Sequence, residues 1–372
     1  MVLVMAAAGP APATAGPVTR FAEGQLIRTD REVRQARFPD FTTGSGAWHS
    51  KASPSWTNGF FAGSLWLAYE RTGDPAWRRR AARRQAPLAR QRPGVAAHDL
   101  GFIMLTSYGN GWRLTHRSRY RRVLLHAAGT LASLYSAKVG AIRSWGGHRR
   151  RFTSIVDDLM NIQLLFWAAR HGGPRTWTRI AHRDAITALR NQVRSDGSTY
   201  QIADYDSRTG SLIGHRSKQG ASARSTWARG QGWAIYGLSA AYRRTHDRRL
   251  LRGARRVARW WLAHVPADGV PPWDFSAAAG SPRDSSAAAI AACGLSELAR
   301  AERSRSAALG YRRAALEALR SLASGRYLAT ASRAHSILLH GTANRPAGNA
   351  DTGLAYGDYY FLEGLRRARL DP

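Results

Sequence analysis

The stretch Arg71-Thr72-Gly73-Asp74-Pro75-Ala76-Trp77 decides the fold of this chain, because its pattern recurs along the sequence. A short turn leads to an aromatic residue flanked by Arg, and an Ala- and Leu-rich helical run follows. Comparable turns, often with Gly, Asp or His, lie at 114–120, 171–177, 244–247 and 301–311. Each turn follows one amphipathic helix and opens another, which predicts a series of helical hairpins.

The spacing of these turns predicts how the hairpins assemble. Successive turns are about 40 to 75 residues apart, which is typical of helical repeats that are stacked or closed into a ring. Strand-like alternation is nearly absent apart from 198–205, which we interpret as a short hairpin or loop. No linker, charge block or low-complexity tract divides the chain after its first twenty residues. We therefore expect one compact all-α domain.

Trp- and Gly-rich stretches lie between the hairpins. They surround Trp56, Trp145, the pair Trp227 and Trp233, and Trp273. Loops that carry Trp and Gly in place of plain polar residues tend to be functional. If all hairpins point the same way, these loops meet at one face. The sequence then predicts a toroid of helix pairs with an aromatic-lined pocket at one end.

The composition restricts the partners of the chain. Among its 372 residues, 56 Lys and Arg outnumber 24 Asp and Glu, for a net charge of +32. The arginines are scattered as on solvated helix faces, so no nucleic-acid partner is expected, although their field favours anionic substrates. Cys293 is the only cysteine, which excludes an internal disulfide and a cysteine-based metal site. No apolar run reaches the roughly 18 residues of a membrane span, and no membrane partner is expected.

Residues 1–17 are interpreted separately from a catalytic domain at 18–372. Val2 to Ala8, followed by Ala13-Thr14-Ala15, resembles the end of a signal peptide, but no basic segment precedes it. The segment is either an N-terminal tail or the remnant of a signal peptide. A cytoplasmic location is favoured, with export as the alternative.

Asp99 and Asp157 are the candidate catalytic residues. Both lie in apolar, helix-like sequence, His98-Asp99-Leu100-Gly101-Phe102 and Val156-Asp157-Asp158-Leu159-Met160. A carboxylate is costly in such surroundings unless something uses or satisfies it. Two alternatives stay open: Asp99 and Asp157 can each be the N-cap of the helix that follows, and Asp158 can be the buried member of its pair in place of Asp157.

Aromatic planes, two carboxyl groups, amides and a guanidinium are what a carbohydrate site needs. No P-loop, dinucleotide-binding, zinc-protease or serine-hydrolase motif is present, so elimination favours a sugar-active enzyme. The Trp residues can also be core packing. Arg229 is either a clamp for a substrate carboxylate or a member of a structural ion pair. Asp284 is expected to cap an Ala-rich helix, and Asp358 to orient the last one.

The order and spacing of these motifs resemble the unsaturated glucuronyl hydrolases of glycoside hydrolase family 88. The similarity runs from Phe21 to the C-terminus, with motifs at 56–60, 98–102, 157–161, 225–231, 283–287 and 357–363. The resemblance implies an (α/α)6 barrel without a metal or organic cofactor. It also implies action on the 4,5-unsaturated uronic acid that polysaccharide lyases leave at the non-reducing end of their products. Family members hydrate its double bond, and the resulting hemiketal opens to an α-keto acid and frees the neighbouring sugar.

The resemblance also implies roles for particular residues. Asp157 would be the general acid/base that protonates C4 and activates the water adding at C5. Asp99 would hold sugar hydroxyls and supply the second acid, and its charge would help Asp157 to keep a proton near neutral pH. The implied substrate-binding positions are Trp56, His98, Trp145, Gln201, Gln219, Trp227, Arg229 and Trp233.

The chain departs from the family pattern at three places. Gln201 stands where His is common, Lys218 replaces the His of a His-Gln-Gly segment, and Arg224 lies where an acid is common. Gln201 can form hydrogen bonds but cannot carry a proton. The added positive charge of Lys218 and Arg224 would suit a more anionic substrate, such as a sulfated one.

Three competing functions stay open. An unsaturated rhamnogalacturonyl hydrolase would act on pectin fragments with a similar barrel and chemistry. A noncatalytic protein would bind anionic glycans or nucleic acid through its charge and its Trp loops. A conventional two-carboxylate glycosidase would act on saturated sugars. The expected partner is an anionic unsaturated disaccharide or oligosaccharide, and the chain itself is expected to be a monomer or a weak homo-oligomer.

Overall fold

The computed structural model describes residues 16–52, 54–90, 94–145 and 150–368. The signal-like residues 1–15, and Gly146 and Gly147 of one Trp-rich loop, lie outside the described residues. The helices are α1 (Pro17–Glu32), α2 (Phe60–Thr72), α3 (Pro75–Gln85), α4 (Leu100–Met104), α5 (Asn110–Thr115), α6 (Ser118–Ala132), α7 (Asp158–Asn161), α8 (Gln163–Arg170), α9 (Thr176–Asn191), α10 (Ala228–Thr245), α11 (Arg248–His264), α12 (Ser285–Ala301), α13 (Arg305–Leu322) and α14 (Ala355–Ala368).

These helices alternate between the two layers of a toroid. A π-helical turn, Leu105–Gly109, joins α4 to α5, and α7 runs directly into α8, so each pair acts as one unit. In the described part of the chain, the inner layer holds α2, α4 with α5, α7 with α8, α10, α12 and α14, and the outer layer holds α1, α3, α6, α9, α11 and α13. Because α14 packs against α2, the inner ring closes. The (α/α)6 barrel expected from the sequence is confirmed.

The residue pattern of each helix decides its layer. Along α12, small residues such as Ala288 and Ala292 are buried on nearly every side, because α10, α13 and α14 all pack against this helix. In α11, Leu250 and Val257 face the core, while arginines fill the opposite side. No helix within the described ranges combines the length and the apolar character needed to span a bilayer.

The recurring turns form as the sequence predicts. Gly73, with φ of 70°, ends α2, and the Asp74 carboxylate accepts a 2.8 Å hydrogen bond from the Ala76 N–H at the start of α3. His246, with φ of 57°, and Asp247 repeat this arrangement between α10 and α11. All five turns join an inner helix to the next outer helix. They therefore share one end of the barrel, and the Trp-rich loops lie at the other end.

Short strands are built into the Trp-rich end. They are β1 (Phe38–Thr42), β2 (Trp48–Lys51), β3 (Tyr135–Ser136), β4 (Ala141–Ile142), β5 (Arg151–Ile155), β6 (Ile202–Asp206) and β7 (Leu212–Arg216). They pair antiparallel as β1–β2, β3–β4 and β5–β6–β7. The stretch 198–205 thus contributes the central strand of a three-stranded sheet. Its neighbouring strands were not predicted from the sequence, since Arg151 pairs with the distant Asp206.

Candidate active site

The candidate residues gather where the inner helices begin. Asp99 directly precedes α4, Asp157 precedes α7 and Trp227 precedes α10. The inner helices run parallel, so their N-termini share this end of the barrel. Helix N-termini carry partial positive charge, which favours acidic side chains and anionic groups nearby. This end is therefore suited to hold both candidate acids and an anionic ligand.

Asp99 occupies the N-cap position of α4, but its side chain makes no capping hydrogen bond. Its Oδ1 accepts a long hydrogen bond of 3.4 Å from Asn161, and its Oδ2 lies 3.2 Å from Nε2 of His98. Burial raises the pKa of Asp99 to about 7, against the lowering effect of the Asn161 amide. The Asp99 side chain therefore does not cap α4.

Asp157 is only 8% exposed. Burial raises its pKa to about 7, with a further contribution from the Asp99 carboxylate, whereas Arg229 and the Trp233 indole lower it. Among the described residues, its Oδ2 has no hydrogen-bond partner. A buried carboxyl group that titrates near neutral pH and has an oxygen without a hydrogen-bond partner is suited to general acid/base chemistry.

Asp158 is buried more deeply than Asp157, and its side chain has a different role. Its Oδ2 accepts hydrogen bonds from the Ser144 hydroxyl, at 2.6 Å, and from the Ile155 N–H, at 3.1 Å. Asp158 therefore holds a loop and the end of β5 in place. The geometry favours Asp157 as the acid available to a ligand.

Asn161 connects the Asp99 side chain to the backbone of Asp157, a role that the sequence did not indicate. Its Oδ1 accepts a 2.9 Å hydrogen bond from the Phe102 N–H, and its Nδ2 lies 3.4 Å from Asp99 Oδ1 and 3.5 Å from the Asp157 carbonyl. The signal in the sequence is its position four residues after Asp157, on the same helical face. Burial of a neutral amide costs less free energy than burial of a carboxylate, so Asn161 is harder to recognise from the sequence than the two aspartates.

Gly101 permits the close approach of α4 and α7. A Cβ atom at this position would lie 2.3 Å from Cα and 2.4 Å from the carbonyl oxygen of Asn161. We expect Gly101→Ala to cost about 1–3 kcal/mol in the free energy of unfolding. Displacement of the acids should also reduce kcat by about a hundredfold. Urea unfolding and initial rates measure the two effects.

Gly310 supplies the matched control, because it lies within α13 and a Cβ atom added to it would have no neighbouring atom within 4 Å. Gly310→Ala should raise the free energy of unfolding by about 0.5–1 kcal/mol and leave the rate unchanged. A Gly101→Ala protein as stable and active as wild type would contradict the close packing of α4 on α7.

Trp56 and Trp145 keep part of their ring surface exposed. Trp56 packs against Tyr356 and Phe102, with ring centroids 4.6 and 5.5 Å apart. Trp145 meets the His98 ring edge-on at 5.8 Å, and the Lys218 ammonium lies 4.3 Å from its ring centroid. These two indoles are available to stack on a sugar ring.

Trp227 and Trp233 are buried. Trp233 is enclosed by Phe102 and Tyr360, at 4.8 and 5.3 Å, so it offers no ring face to a ligand in this structure. Its indole N–H affects Asp157 by lowering the pKa of that carboxyl group. Trp227 is 3% exposed and supports the Arg229 guanidinium, whose carbon lies 4.5 Å from its ring centroid.

Arg229 is fully buried in an ion pair. Its Nη1 lies 3.0 Å from Oδ2 of Asp284 and donates to the Thr342 carbonyl at 2.6 Å, while Nη2 donates to the Ala343 carbonyl at 2.7 Å. Of the two sequence-based alternatives, this geometry matches the structural ion pair. The expected cap is also confirmed, because Asp284 accepts the Ser286 N–H at 3.1 Å.

Asp358 ties the last helix to the preceding loop. It lies in the first turn of α14, and its two oxygens accept the Ile337 and Leu338 N–H groups, each at 2.9 Å. Burial raises its pKa to about 7. The interpretation that Asp358 orients the last helix agrees with these bonds.

Gln201 anchors the loop that follows β7. Its Oε1 accepts from the Ser217 hydroxyl and from the N–H groups of Lys218 and Gln219, at 2.7, 2.8 and 3.0 Å. Its Nε2 donates to Gln219 Oε1 at 2.7 Å, and Gln219 donates to the Ala343 carbonyl at 3.1 Å. The polar groups of Gln201 are thus committed to the loop. Within the described ranges, no three His, Cys, Asp or Glu side chains are grouped as metal ligands.

Comparison with known proteins connects this geometry to a family. The family model described as Glycosyl Hydrolase Family 88 matches residues 26–363. The unsaturated glucuronyl hydrolase of Formosa agariphila is 37% identical over 328 residues, which cover 86% of this chain and 81% of that protein.

Two solved structures are similar over nearly their whole length. An unsaturated glucuronyl hydrolase specific for heparin aligns with a TM-score of 0.89 and 34% identity, covering 95% of this chain and 97% of that one. A variant of the Streptococcus agalactiae enzyme, complexed with dGlcA-GalNAc6S, aligns with a TM-score of 0.78 and 26% identity over 98% of both chains. The chain belongs to glycosyl hydrolase family 88.

Proposed function

We propose that this protein removes the 4,5-unsaturated uronic acid from the non-reducing end of lyase-generated oligosaccharides by hydrating the C4=C5 double bond. Family membership supports the hydrolase class, and the unsaturated glucuronyl hydrolases among its relatives support the substrate class. The observation that carries the proposal is the buried pair of Asp99 and Asp157, each with a pKa of about 7.

Asp157 would transfer protons in both halves of the hydration. Its protonated carboxyl group donates a proton to C4, and the positive charge that develops at C5 is stabilised by the ring oxygen. The resulting carboxylate accepts a proton from the water whose oxygen bonds to C5, which restores the acid. The hemiketal at C5 then opens to a ketone beside the carboxylate, and the hemiacetal left at C1 releases the neighbouring sugar.

Other groups at this end would bind and orient the sugar. Asp99 retains 9% exposure and can accept hydrogen bonds from sugar hydroxyls. Trp56 and Trp145 present partly exposed indoles for stacking. Arg229 is held too firmly by Asp284 to move onto a ligand, so its part is to moderate the pKa of Asp157 through its charge.

The experiment that tests this function follows the ultraviolet absorbance of the conjugated alkene. Unsaturated disaccharides from chondroitin, hyaluronan, heparin and pectin digests are each incubated with wild type. Loss of absorbance with glycosaminoglycan disaccharides is expected. A preference for the pectin-derived substrate would favour an unsaturated rhamnogalacturonyl hydrolase, and binding without any loss of absorbance would favour a noncatalytic glycan-binding protein.

The pH dependence of kcat reports the protonation of Asp157. Because C4 protonation needs the acid form, kcat should fall as the pH rises through about 7, and by about tenfold per further pH unit. Asp99→Asn should move this fall to lower pH, because the Asp99 charge raises the pKa of Asp157. Rates measured from about pH 5 to about pH 9 test both statements. A rate that increases through neutral pH to a plateau would contradict the acid role.

Lys218 is placed to favour a sulfated substrate. Its ammonium lies over the Trp145 ring and is exposed, so a sulfate on a sugar stacked there would meet a positive charge. We expect Lys218→Gln to lower kcat/KM for a sulfated disaccharide by about three- to tenfold relative to the unsulfated one. Parallel rates on the two substrates measure this ratio. Arg345→Gln, on a loop without this contact, is the charge-matched control, and a clear preference of wild type for the unsulfated disaccharide would contradict the prediction.

A further inference from the structure

Asp158 and Asp184 are two buried carboxyl groups beside the candidate site. They are 1% and 2% exposed. Among the residues that the structure describes, no Arg, Lys or His forms an ion pair with either one. Several other buried acids of the chain do have such a partner: Asp30 pairs with Arg84, Asp204 with Arg216, Asp284 with Arg229 and Glu297 with Arg367. A buried carboxyl pair without a cation is costly unless it carries protons.

The two carboxyl groups hold one short segment. Asp184, on α9, accepts a 2.6 Å hydrogen bond from the Ile142 N–H. Asp158 accepts the Ser144 hydroxyl at 2.6 Å, and its other bond, from the Ile155 N–H, fixes the end of β5. Ile142 and Ser144 are two residues apart, and Trp145 follows. The position of Trp145 therefore depends on both acids.

We propose that Asp158 and Asp184 act as paired positioning residues that hold the segment 142–145, and with it Trp145, in the place where it meets the substrate. The inference rests on the proposed function for the identity of the ligand. It assigns a role to two acids that the chemistry at Asp157 does not use.

The protonation of the pair follows from its surroundings. Burial, and then the charge of Asp184, raise the pKa of Asp158 well above its ordinary value, and burial raises the pKa of Asp184 to about 7. The buried Oδ1 of Asp158 has no hydrogen-bond partner among the described atoms, so this oxygen can carry a proton. Among the described residues, Asp99 at the start of α4 acts on Asp158, and Tyr135 on β3 and Tyr205 on β6 interact with Asp184. Two arginines of α9 lie beyond these tyrosines, Arg183 near Tyr135 and Arg190 near Tyr205. In alkaline solution, two carboxylates would repel each other and loosen the segment.

Two variants at Asp184 distinguish the effect of its charge from the effect of its hydrogen bond to Ile142. Asp184→Asn keeps an oxygen for the Ile142 N–H but removes the charge, whereas Asp184→Ala removes both. For wild type, KM should increase as the pH is raised to about 9, and Asp184→Asn should flatten this increase. Asp184→Ala should raise KM by about tenfold even at neutral pH. The fall of kcat assigned to Asp157 should be the same in all three proteins. Equal KM profiles for wild type and Asp184→Asn would overturn the proposal.

Hydrogen exchange on wild type tests the same inference without a substrate. After correction for the intrinsic rate, a peptide covering 134–145 should lose protection between about pH 7 and about pH 9, while a peptide from α12 should not. Unchanged protection of 134–145 would overturn the proposal even if the enzyme proved active. Loss of protection in a protein without hydrolase activity would support the positioning role of Asp158 and Asp184 and would contradict only the proposed function.

Discussion

Asp157→Asn is expected to reduce kcat by about a thousandfold or more while the protein stays folded. Asn has the shape of Asp but can neither donate the proton to C4 nor accept one from water. The substitution should be tolerated, because Oδ2 of Asp157 makes no hydrogen bond among the described residues and a buried charge is removed. Initial rates from alkene absorbance, with circular dichroism for the fold, measure the effect.

The control for this substitution is Asp351→Asn. The Asp351 side chain is 60% exposed and, within the described ranges, pairs only with His340, so the change removes one carboxylate without altering the candidate site. Its rate should match wild type. An Asp157→Asn protein that works within tenfold of wild type would show that another group supplies the proton, and Asp99 would become the first candidate.

Asp284→Ala is expected to destabilise the fold by about 3–5 kcal/mol, because it leaves the fully buried Arg229 guanidinium without its counterion. Loss of the cap of α12 adds about 1 kcal/mol. Urea unfolding measures the free-energy change. Asp284→Asn should lie between Asp284→Ala and wild type, because an amide oxygen can still accept the capping N–H groups.

The matched control for the ion pair is Asp351→Ala. Its carboxylate contacts the His340 ring at 2.6 Å, but at the surface, where even a charged pair contributes only about 0–1 kcal/mol. If Asp284→Ala costs no more than Asp351→Ala, then Arg229 does not depend on Asp284. The Arg229 guanidinium would then be available to bind the carboxylate of a substrate, which is the other role that the sequence allows for this residue.

The sequence predicts the barrel well because its turns are encoded locally. Gly73, Asp74 and Pro75 supply the left-handed end of one helix, the cap of the next and its first residue within a few positions. The sheet is different, since β5 finds its partner in β6 only after α7, α8 and α9 have intervened. Periodicity within one segment carries no information on such a distant pairing.

In the candidate site, too, some features are encoded locally in the sequence and others depend on distant contacts. Asp99 and Asp157 can be selected from the sequence, because a carboxylate in an apolar helix start has an obvious cost. Trp233 and Gln201 cannot be assigned in this way. Whether an indole stacks on a sugar or fills the core, and whether an amide faces a ligand or a loop, depends on contacts made across the fold.

The most direct measurement compares an unsaturated uronyl disaccharide with its saturated counterpart, following alkene absorbance and the release of the neighbouring sugar together. Hydration at C4=C5 predicts that absorbance disappears no more slowly than the sugar is released, and that the saturated uronide is not cleaved. Release of the sugar with the alkene intact, or cleavage of the saturated uronide at a similar rate, would contradict hydration and indicate a conventional two-carboxylate glycosidase.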